Sequence, residues 1–376
     1  MPVYLDCNAT TPVEPRVRDE VVRFMDLEFG NAGSRTHQFG QRAKEAVQEA
    51  RDKVAEVVGA ASEEVIFTSG ATESNNLAIL GLRSFGEHKG RKHIVSTAIE
   101  HKAVLEPLSH LSTQDFEITL VPPTANGWVE AEAVRKAVRN DTLLVSVMHV
   151  NNETGVLQPI EEICTVLKDC TAFFHVDAAQ GFGKELRSLR NERIDLISVS
   201  GHKVYGPKGV GALITRRRGY TRPPLQPLLH GGGQERGLRA GTLPVPLIAG
   251  LGLAAEIALK EHQQRAELCR AYRGKILAAL ARLNPLFNGD QSHTLPHVLN
   301  ISFQGLDSEA VMLALKDRIA ISNGSACTSQ SYSPSHVLRA MGLSGDVTKG
   351  ALRISWCHMS EDVDWTSIAN TIASLQ

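Results

Sequence analysis

Short apolar runs alternate with longer helical patterns between residues 65 and 215. Runs this short and this continuously apolar are typical of strands buried on both faces of a sheet. Helical patterns follow two of them, from about Thr72 and from Lys102. The alternation predicts an α/β domain with a mostly parallel central sheet and helices on both faces. The predicted strands are Val65–Thr68, His93–Thr97, Leu143–Val150, Ala172–Val176, Asp195–Ser200 and Val210–Thr215.

The pattern changes after Pro246, a residue type that is common at helix starts. From Leu247 the sequence is helical for about forty residues. A second strand–helix set follows the loop at residues 288–296. We therefore predict a large domain over residues 15–256 and a smaller α+β C-terminal domain over residues 257–376, which residues 1–14 join. The length of 376 residues suits this division into two domains.

Composition and charge exclude several classes of function. Lys and Arg number 40 against 41 Asp and Glu, so neither a direct nucleic-acid surface nor a polybasic membrane patch is indicated. The first residues include Asp6 and have no apolar signal core, and the longest apolar stretch, residues 245–259, is too short to span a membrane. Six cysteines without CxxC spacing fit reduced thiols in the cytoplasm and give no support for a metal site.

Ligands of open parallel sheets bind at the carboxyl ends of the strands, so the residues that follow each strand matter most. After Val65–Thr68, Gly70 permits a tight turn, and the helix start at Thr72 offers free N–H groups for a phosphate. An ordinary capped helix start is the alternative. Asp177 directly follows another apolar strand, where a carboxylate is costly unless it meets a cation such as a protonated pyridine nitrogen. A helix N-cap is the alternative for Asp177.

The segment after Asp195–Ser200 reads GHKVYGPKG and is the most informative of the series. Lys203 follows a buried strand among turn residues and is well placed for Schiff-base chemistry. The alternative is a lysine in a surface turn, which is how we interpret Lys208. The string GPKGVG is not a phosphate-binding P-loop because the GK[ST] ending is missing.

Cys327 lies among small polar residues in NGSACTS, which leave a thiol accessible. A structural cysteine more often lies in an apolar run, as Cys164 does. An inert loop thiol is the alternative. His101 and Asn152 also follow predicted strands, but a lone histidine is more often a packed residue, and asparagines at strand ends are usually turn formers.

Taken in order, these segments resemble the cysteine desulfurases of the NifS and IscS type, within the class V aminotransferases. The resemblance runs from Asp6 to about Trp356. The variant Asn31-Ala32-Gly33-Ser34, together with GTLPVPLIAGL, resembles the DndA branch, which serves DNA phosphorothioation. The matching strings are TSGATESNN, EHKAVLEP, HVNNETG, HVDAAQ, SGHKVYGPKGVGAL, GGGQERGLRAGTLP, GSACTS and HVLRAMGL.

The resemblance implies the pyridoxal 5'-phosphate (PLP) transferase fold of type I and a homodimer with active sites at the interface. Lys203 matches the lysine that carries PLP, Asp177 the acid at the pyridine nitrogen, and Gln180 the partner of the ring hydroxyl. His101 matches the histidine that stacks on the ring and moves protons. The residues that match phosphate contacts are Ala71, Thr72, Ser200, His202 and, from the neighbouring subunit, Thr242.

On the substrate side, Asn152 matches a residue near the ring and the substrate. Arg353 matches the arginine that holds the substrate carboxylate, a role that suits the bidentate guanidinium. Cys327 matches the cysteine that receives the sulfur as a persulfide. The resemblance thus implies conversion of L-cysteine to L-alanine, with sulfur passed to an acceptor protein for DNA phosphorothioation, iron–sulfur cluster assembly or tRNA thiolation.

Other functions compete with this interpretation. A selenocysteine lyase or another class V aminotransferase would share the fold, but an aminotransferase needs no nucleophile like Cys327. A non-catalytic scaffold of the same fold would be expected to lack Lys203 or Cys327, and both are present. A nicotinamide-dependent dehydrogenase is disfavoured because no GxGxxG follows the first strand.

Overall fold

The structure, a computed structural model, describes residues 1–323 and 335–375. The predicted nucleophile Cys327 therefore lies outside the described residues. The helices are α1 Pro15–Asp26, α2 Gln38–Val58, α3 Ala71–Leu80, α4 Arg83–Lys89, α5 Lys102–Ser112, α6 Ala131–Ala137, α7 Ile160–Val166, α8 Val245–Leu280, α9 Ser308–Leu315, α10 His336–Ala340, α11 Gly345–Lys349 and α12 Trp365–Ala373. The strands are β1 Val3–Tyr4, β2 Val65–Thr68, β3 His93–Thr97, β4 Glu117–Val121, β5 Thr142–Met148, β6 Phe173–Asp177, β7 Leu196–Ser200, β8 Gly211–Thr215, β9 Leu286–Phe287, β10 Val298–Ser302, β11 Ile319–Ala320 and β12 Ala351–Ser355.

Seven strands form the central sheet in the order β2-β8-β7-β6-β5-β3-β4. Neighbours from β7 to β4 pair in parallel, whereas β8 pairs antiparallel with both β7 and β2. Strand β2 therefore points the same way as the parallel strands, and only β8 is reversed. The sheet confirms the predicted mostly parallel α/β architecture, with strand ends shifted by a residue or two. Strand β4 was not predicted, because this edge strand is half exposed and its sequence, EITLV, is not continuously apolar.

Helices cover both faces of the sheet, as predicted. The larger apolar core joins one face of the sheet to α1, α2, α7 and the first half of α8. A second core on the opposite face joins the sheet to α3 and α5. Burial of these two faces fixes the positions of the strand ends, because each strand is held from above and below.

A smaller layer contains the antiparallel sheet β12-β10-β9, which packs with α9, α12 and the second half of α8. Helix α8 runs through both parts. Its buried residues up to Ala258 belong to the large core, and those from Cys269 onward belong to the small one. The domain boundary near Glu256 stays a prediction. Among the described helices, none is long and apolar enough to cross a lipid bilayer.

A buried ion pair fixes the glycine-rich segment 231–242 beside α2 and β2. Arg51 in α2 and Glu235 have side chains that are only 9% and 2% exposed, and their Nη2 and Oε1 atoms lie 2.6 Å apart. Glu235 also accepts a hydrogen bond from the backbone N–H of Phe67 in β2. Removal of one partner from such a buried pair costs about 3–5 kcal/mol of stability, so this contact holds the segment firmly beside β2.

Candidate active site

A cavity of about 450 Å³ opens at the edge of the sheet where β2, β3, β5, β6 and β7 have their carboxyl ends. Nine of the residues predicted for the site line this cavity together, although they come from five separate strand ends. Arg353 and Thr242 are not among its lining residues. The predicted residues that line it are Ala71, Thr72, His101, Asn152, Asp177, Gln180, Ser200, His202 and Lys203.

Lys203 ends a short 3-10 turn that directly follows β7. Its Nζ donates hydrogen bonds to the backbone carbonyl oxygens of Asn8 and of Ala9, the latter at 2.7 Å. Asn8 and Ala9 also line the cavity. Sequence reasoning missed Asn8 and Ala9, because local patterns do not show which distant backbone meets the lysine. The N-terminal segment thus completes the site of a lysine almost two hundred residues away.

Asp177 is the last residue of β6 and is buried at the cavity. Its Oδ2 accepts a hydrogen bond from Nδ2 of Asn75 at 2.8 Å, and its Oδ1 accepts one from the backbone N–H of Ala179 at 3.0 Å. Both donors are neutral amide groups, and they fix the orientation of the carboxyl group at the cavity. Asn75, in α3, was not predicted; its signal was a polar residue on the buried face of that helix within the string TSGATESNN.

Several buried oxygen atoms around the cavity lack hydrogen-bond partners within the described part of the chain. They are Oε1 of Gln180, Oδ1 of Asn8 and Oδ1 of Asn75. The amide of Gln180 is held through its other end, since Nε2 donates to the carbonyl oxygen of Asn8 at 2.9 Å. Buried polar atoms are nearly always paired in folded proteins. Unpaired atoms that converge on one cavity therefore indicate a polar ligand.

The start of α3 forms the other end of the cavity. Gly70 precedes the helix with φ of 153°, and no side chain caps the first turn. The N–H groups of Ala71 and Thr72 are thus available, and the helix dipole adds positive potential at this point. The residues Ser200 and His202 line the cavity beside them. This arrangement suits a phosphate group.

Two histidines at the cavity are held in their neutral form. Burial lowers the pKa of His101, and its Nδ1 accepts a hydrogen bond from the N–H of Ala103 at 3.1 Å. The proton of the neutral ring therefore resides on Nε2. Burial, together with the positive charge of Lys203, lowers the pKa of His202 to about 4, and its Nδ1 lies 3.1 Å from Oγ1 of Thr10.

On the substrate side, Arg353 lies behind Asn152 and is only 1% exposed. Its Nη1 donates to the carbonyl oxygen of Asn152 at 3.0 Å, and its Nη2 forms an ion pair with Asp6 at 2.7 Å. Its Nε is buried without a hydrogen-bond partner among the described residues. Arg353 thus adjoins the cavity but is engaged by protein groups. Thr242 is exposed and does not reach the cavity.

The residues that follow the undescribed stretch 324–334 are bound to the large domain beside the cavity. Ser335 donates a hydrogen bond from Oγ to Oε2 of Glu153 at 2.5 Å, and Nε2 of His336 lies 3.0 Å from the carbonyl oxygen of Glu100. Burial raises the pKa of Glu153 to about 7 and that of Glu100 to about 8. Sequence reasoning missed both acids, although each directly adjoins a predicted site residue.

Two further observations complete the site. Lys208 is exposed, as expected of a lysine in a surface turn, but it also lines the rim of the cavity. Within residues 1–323 and 335–375, no group of three or more His, Cys, Asp or Glu side chains is arranged to hold a metal ion. The chemistry of the cavity is thus that of a lysine, a carboxylate and an anion-binding helix start.

Comparison with known proteins gives consistent results. Residues 3–365 match the family described as aminotransferase class-V. The chain is 45% identical over 371 residues to the cysteine desulfurase IscS of Escherichia coli, covering 97% of this chain and 91% of that protein. It is 51% identical to DndA from Streptomyces lividans, with a TM-score of 0.83 over 93% of this chain and 98% of that one. A NifS-like protein matches the whole of both chains at 38% identity and a TM-score of 0.92.

The chain therefore belongs to the class-V aminotransferase family. It is an enzyme whose cofactor is PLP, as in its cysteine desulfurase homologues. These findings confirm the predicted family, the type I fold and the predicted cofactor.

Proposed function

We propose that this PLP-dependent enzyme is a cysteine desulfurase, which converts L-cysteine to L-alanine and retains the sulfur as a persulfide on Cys327. The observation that carries the proposal is the convergence of Lys203, Asp177 and the uncapped start of α3 on one cavity. The relative with 45% identity over nearly the whole chain bears this activity in its name.

The residues of the cavity fit PLP group by group. The free N–H groups of Ala71 and Thr72 would hold the phosphate, with Ser200 and His202 beside them. Asp177 would pair with the pyridine nitrogen, because its two hydrogen bonds orient the carboxyl group at the cavity. The remaining partners would be Gln180 at the ring hydroxyl, His101 on the ring face and Lys203 as the covalent anchor.

The chain's own groups would divide the proton transfers between them. PLP, when bound, supplies an electron sink for the negative charge that develops at the substrate Cα. Lys203 would act as general base, with Nζ taking the Cα proton of cysteine. His101, neutral with its proton on Nε2, would donate a hydrogen bond from that atom and would act as a general acid only after it gains a second proton.

Sulfur transfer would use groups on the small-domain side. Arg353 would exchange Asp6 for the carboxylate of cysteine, which the guanidinium can bind in a bidentate manner. The thiolate of Cys327 would attack the substrate sulfur, so that an S–S bond forms as the bond between sulfur and Cβ breaks. Asn152, whose carbonyl oxygen accepts a hydrogen bond from Arg353, would lie near the bound substrate.

We also propose a homodimer, in which Thr242 serves the cavity of the neighbouring subunit. Thr242 is exposed. Arg239, in the same segment, forms an ion pair with Glu73 in α3 of its own subunit at 3.0 Å. Exposed apolar side chains on and after α1 would supply a contact surface. They are Val22, Met25, Leu27, Phe29 and Phe39. Sedimentation of the holoenzyme tests this, and a monomer with full activity would refute it.

For the acceptor, we propose a protein of the DNA phosphorothioation pathway, in the cytoplasm. The 51% identity to DndA supports this choice, as does the segment Asn31-Ala32-Gly33-Ser34. Iron–sulfur cluster assembly or tRNA thiolation is the second candidate, which the 45% identity to IscS favours. Deletion of the gene from its host distinguishes the two: loss of phosphorothioate from DNA supports the first, and loss of iron–sulfur enzyme activity supports the second.

The test of the catalytic proposal is release of alanine and sulfide from L-cysteine by the purified holoenzyme in the presence of a thiol reductant. We expect Cys327→Ala to keep the visible PLP spectrum and lose sulfide release, and Cys164→Ala, a buried control, to behave as the wild type. Full activity of Cys327→Ala would refute the role of Cys327. A selenocysteine lyase would instead turn over selenocysteine in preference to cysteine, without need of Cys327.

A further inference from the structure

An ion pair joins the glycine-rich segment 231–242 to the first turn of α3. Nε of Arg239 lies 3.0 Å from Oε1 of Glu73, and the two side chains are only 20% and 18% exposed. The other carboxylate oxygen of Glu73, Oε2, accepts a hydrogen bond from the backbone N–H of Ser69 at 2.7 Å. Ser69 lines the cavity, whereas Glu73 and Arg239 do not. Glu73 thus connects Arg239 to the wall of the cavity.

The hydrogen bond from Ser69 gives Glu73 a structural use. Gly70 turns the chain from β2 into α3, and the bond between Ser69 and Glu73 spans this turn. The free N–H groups of the next two residues are those proposed to hold the cofactor phosphate. A turn that is fixed before the phosphate arrives does not have to rearrange when it binds.

The charge of Glu73, in contrast, is unfavourable at this place. Burial alone would raise the pKa of Glu73, but the hydrogen bonds from Ser69 and Arg239 lower it below its ordinary value. The carboxylate is therefore ionised at neutral pH. It lies in the first turn of the helix whose start would bind the phosphate, and like charges repel each other. A cation at Glu73 is needed to cancel this repulsion.

The segment that carries Arg239 is held in a strained conformation. Glu235 and Arg236 have φ of 46° and 57°, in the left-handed region that is costly for residues other than glycine. The buried ion pair of Glu235 with α2 holds one end of the segment, and Oε1 of Gln234 accepts a hydrogen bond from the N–H of Gly241 at 2.9 Å. Strain of this kind persists only where surrounding contacts enforce it, and it is frequent near functional sites.

We propose that Arg239 is a positioning residue for the cofactor phosphate and acts by neutralising Glu73. Glu73 fixes the turn before α3 through Ser69, and Arg239 cancels the charge that would otherwise weaken phosphate binding. The inference rests on the proposed placement of the phosphate at the start of α3. It does not depend on the reaction that the enzyme catalyses.

The proposal predicts that one substitution rescues another. Arg239→Ala leaves the carboxylate of Glu73 without its cation, so the dissociation constant for PLP should rise roughly 10-fold. Glu73→Gln in the same chain removes the charge but keeps a side-chain oxygen for the N–H of Ser69. The double variant should therefore recover most of the lost affinity, and Glu73→Gln alone should bind PLP no more weakly than the wild type. Pyridoxal, which has no phosphate, should bind equally to all four proteins.

The experiment uses the full-length protein, freed of PLP and titrated with PLP or with pyridoxal while the visible absorbance of the bound cofactor is recorded. The loss in Arg239→Ala should shrink at high salt, because salt screens the repulsion. Arg236→Ala is the matched control and should bind PLP as the wild type does. Arg236 belongs to the same segment but is exposed and donates to the carbonyl oxygen of Glu63. Thermal unfolding checks each variant, and Arg239→Gln replaces Arg239→Ala if the latter does not fold.

Unchanged PLP affinity in Arg239→Ala, or an equal loss for PLP and pyridoxal, would overturn the proposal. A loss that Glu73→Gln does not rescue would also overturn it, since Arg239 would then act by placing the rest of its segment, Thr242 included. A wild type that binds pyridoxal as tightly as PLP would count against the phosphate placement itself. These titrations contain no cysteine, so a failure to release sulfide from cysteine would count against the desulfurase proposal alone.

Discussion

The two sides of the cavity are built differently. On the sheet side, Lys203, Asp177 and Gln180 follow buried strands, and backbone or amide groups hold each of them in the cavity. On the small-domain side, Arg353 is engaged by Asp6 and by the carbonyl oxygen of Asn152. The sheet side also has buried oxygen atoms, on Gln180 and Asn75, that lack hydrogen-bond partners within residues 1–323 and 335–375, as expected of a cavity that is formed before its ligand binds.

This difference separates the residues proposed for the cofactor from those proposed for the substrate. The groups proposed for the cofactor are fixed beside the central sheet, so PLP would find them already placed. The groups proposed for cysteine would exchange protein partners when the substrate binds, and Arg353 would give up Asp6. Substitutions on the sheet side should therefore affect chemistry most, and those on the small-domain side should affect substrate binding or sulfur transfer.

The largest effect is expected for Lys203→Ala, which removes both the covalent anchor and the general base. Alanine release should fall by roughly 10³-fold or more, because positioned proton transfer alone contributes about 10²–10⁴-fold. Lys208→Ala is the matched control, since Lys208 lines the rim of the same cavity but is exposed. Equal losses in the two variants would show that general positive charge, rather than Lys203 itself, carries the reaction.

A smaller effect, in binding, is expected for Arg353→Lys. Lysine keeps the charge but cannot offer the bidentate contact, so KM for cysteine should rise roughly 10- to 100-fold with a smaller change in kcat. Steady-state kinetics separate the two parameters, and thermal unfolding checks that the change in the buried ion pair leaves the fold intact. If kcat falls and KM is unchanged, Arg353 does not bind the substrate carboxylate.

The contact of Ser335 with Glu153 should affect sulfur transfer by about tenfold, because removal of one partner of a buried hydrogen bond costs about 1–3 kcal/mol. Ser335 directly follows the stretch that contains Cys327, so its anchoring bears on the nucleophile. Ser335→Ala and Glu153→Ala should each lower kcat, and the double variant should be no worse than the worse single one. Losses that simply add would show that the two residues act independently. The PLP spectrum should stay unchanged in all three.

The last prediction concerns stability and pH rather than activity, at Glu100, which is fully buried with Oε2 unpaired among the described residues. Its pKa rises from an ordinary value of 4.5 to about 8, so the folded protein retains a proton that the unfolded chain loses. Glu100 therefore favours folding below pH 4.5, and this contribution declines as the pH rises to about 8, by up to roughly 1.4 kcal/mol per pH unit.

Denaturant unfolding of Glu100→Gln across this range should give a flatter pH dependence than the wild type. Glu309→Gln, at an exposed position on α9, is the control and should leave the dependence unchanged. A wild-type curve that does not fall between pH 4.5 and 8 relative to Glu100→Gln would show that Glu100 is ionised in the folded protein.

The sequence predicted the sheet side better than the small-domain side, for a physical reason. Asp177 and Lys203 each lie at or just after the end of a predicted buried strand, and parallel strands have their carboxyl ends at the same edge of the sheet. The partners of these residues come from distant segments, as Asn8 does for Lys203 and Asn75 for Asp177, and local periodicity carries no record of such pairings. The reversed direction of β8 was likewise invisible, because a buried strand looks the same in either direction.

The role of Arg353 shows the same limit from the other side. The sequence analysis did not predict the strand β12 that contains Arg353, and the ion pair of Arg353 with Asp6 depends on how the N-terminal segment meets that strand. The resemblance to a known family supplied the role of Arg353, and the structure supplied the competing carboxylate. The ion pair between Asp6 and Arg353, which lie near opposite ends of the chain, could therefore not be predicted from local sequence patterns.

The central claim is that sulfur moves from cysteine to Cys327 while the sheet side holds the cofactor. A single turnover with sulfur-labelled L-cysteine, quenched without reductant and mapped by mass spectrometry, tests it most directly. We expect one labelled sulfur on the peptide that contains Cys327, in an amount equal to the alanine formed. Alanine without label on that peptide, or label on another cysteine instead, would contradict this transfer.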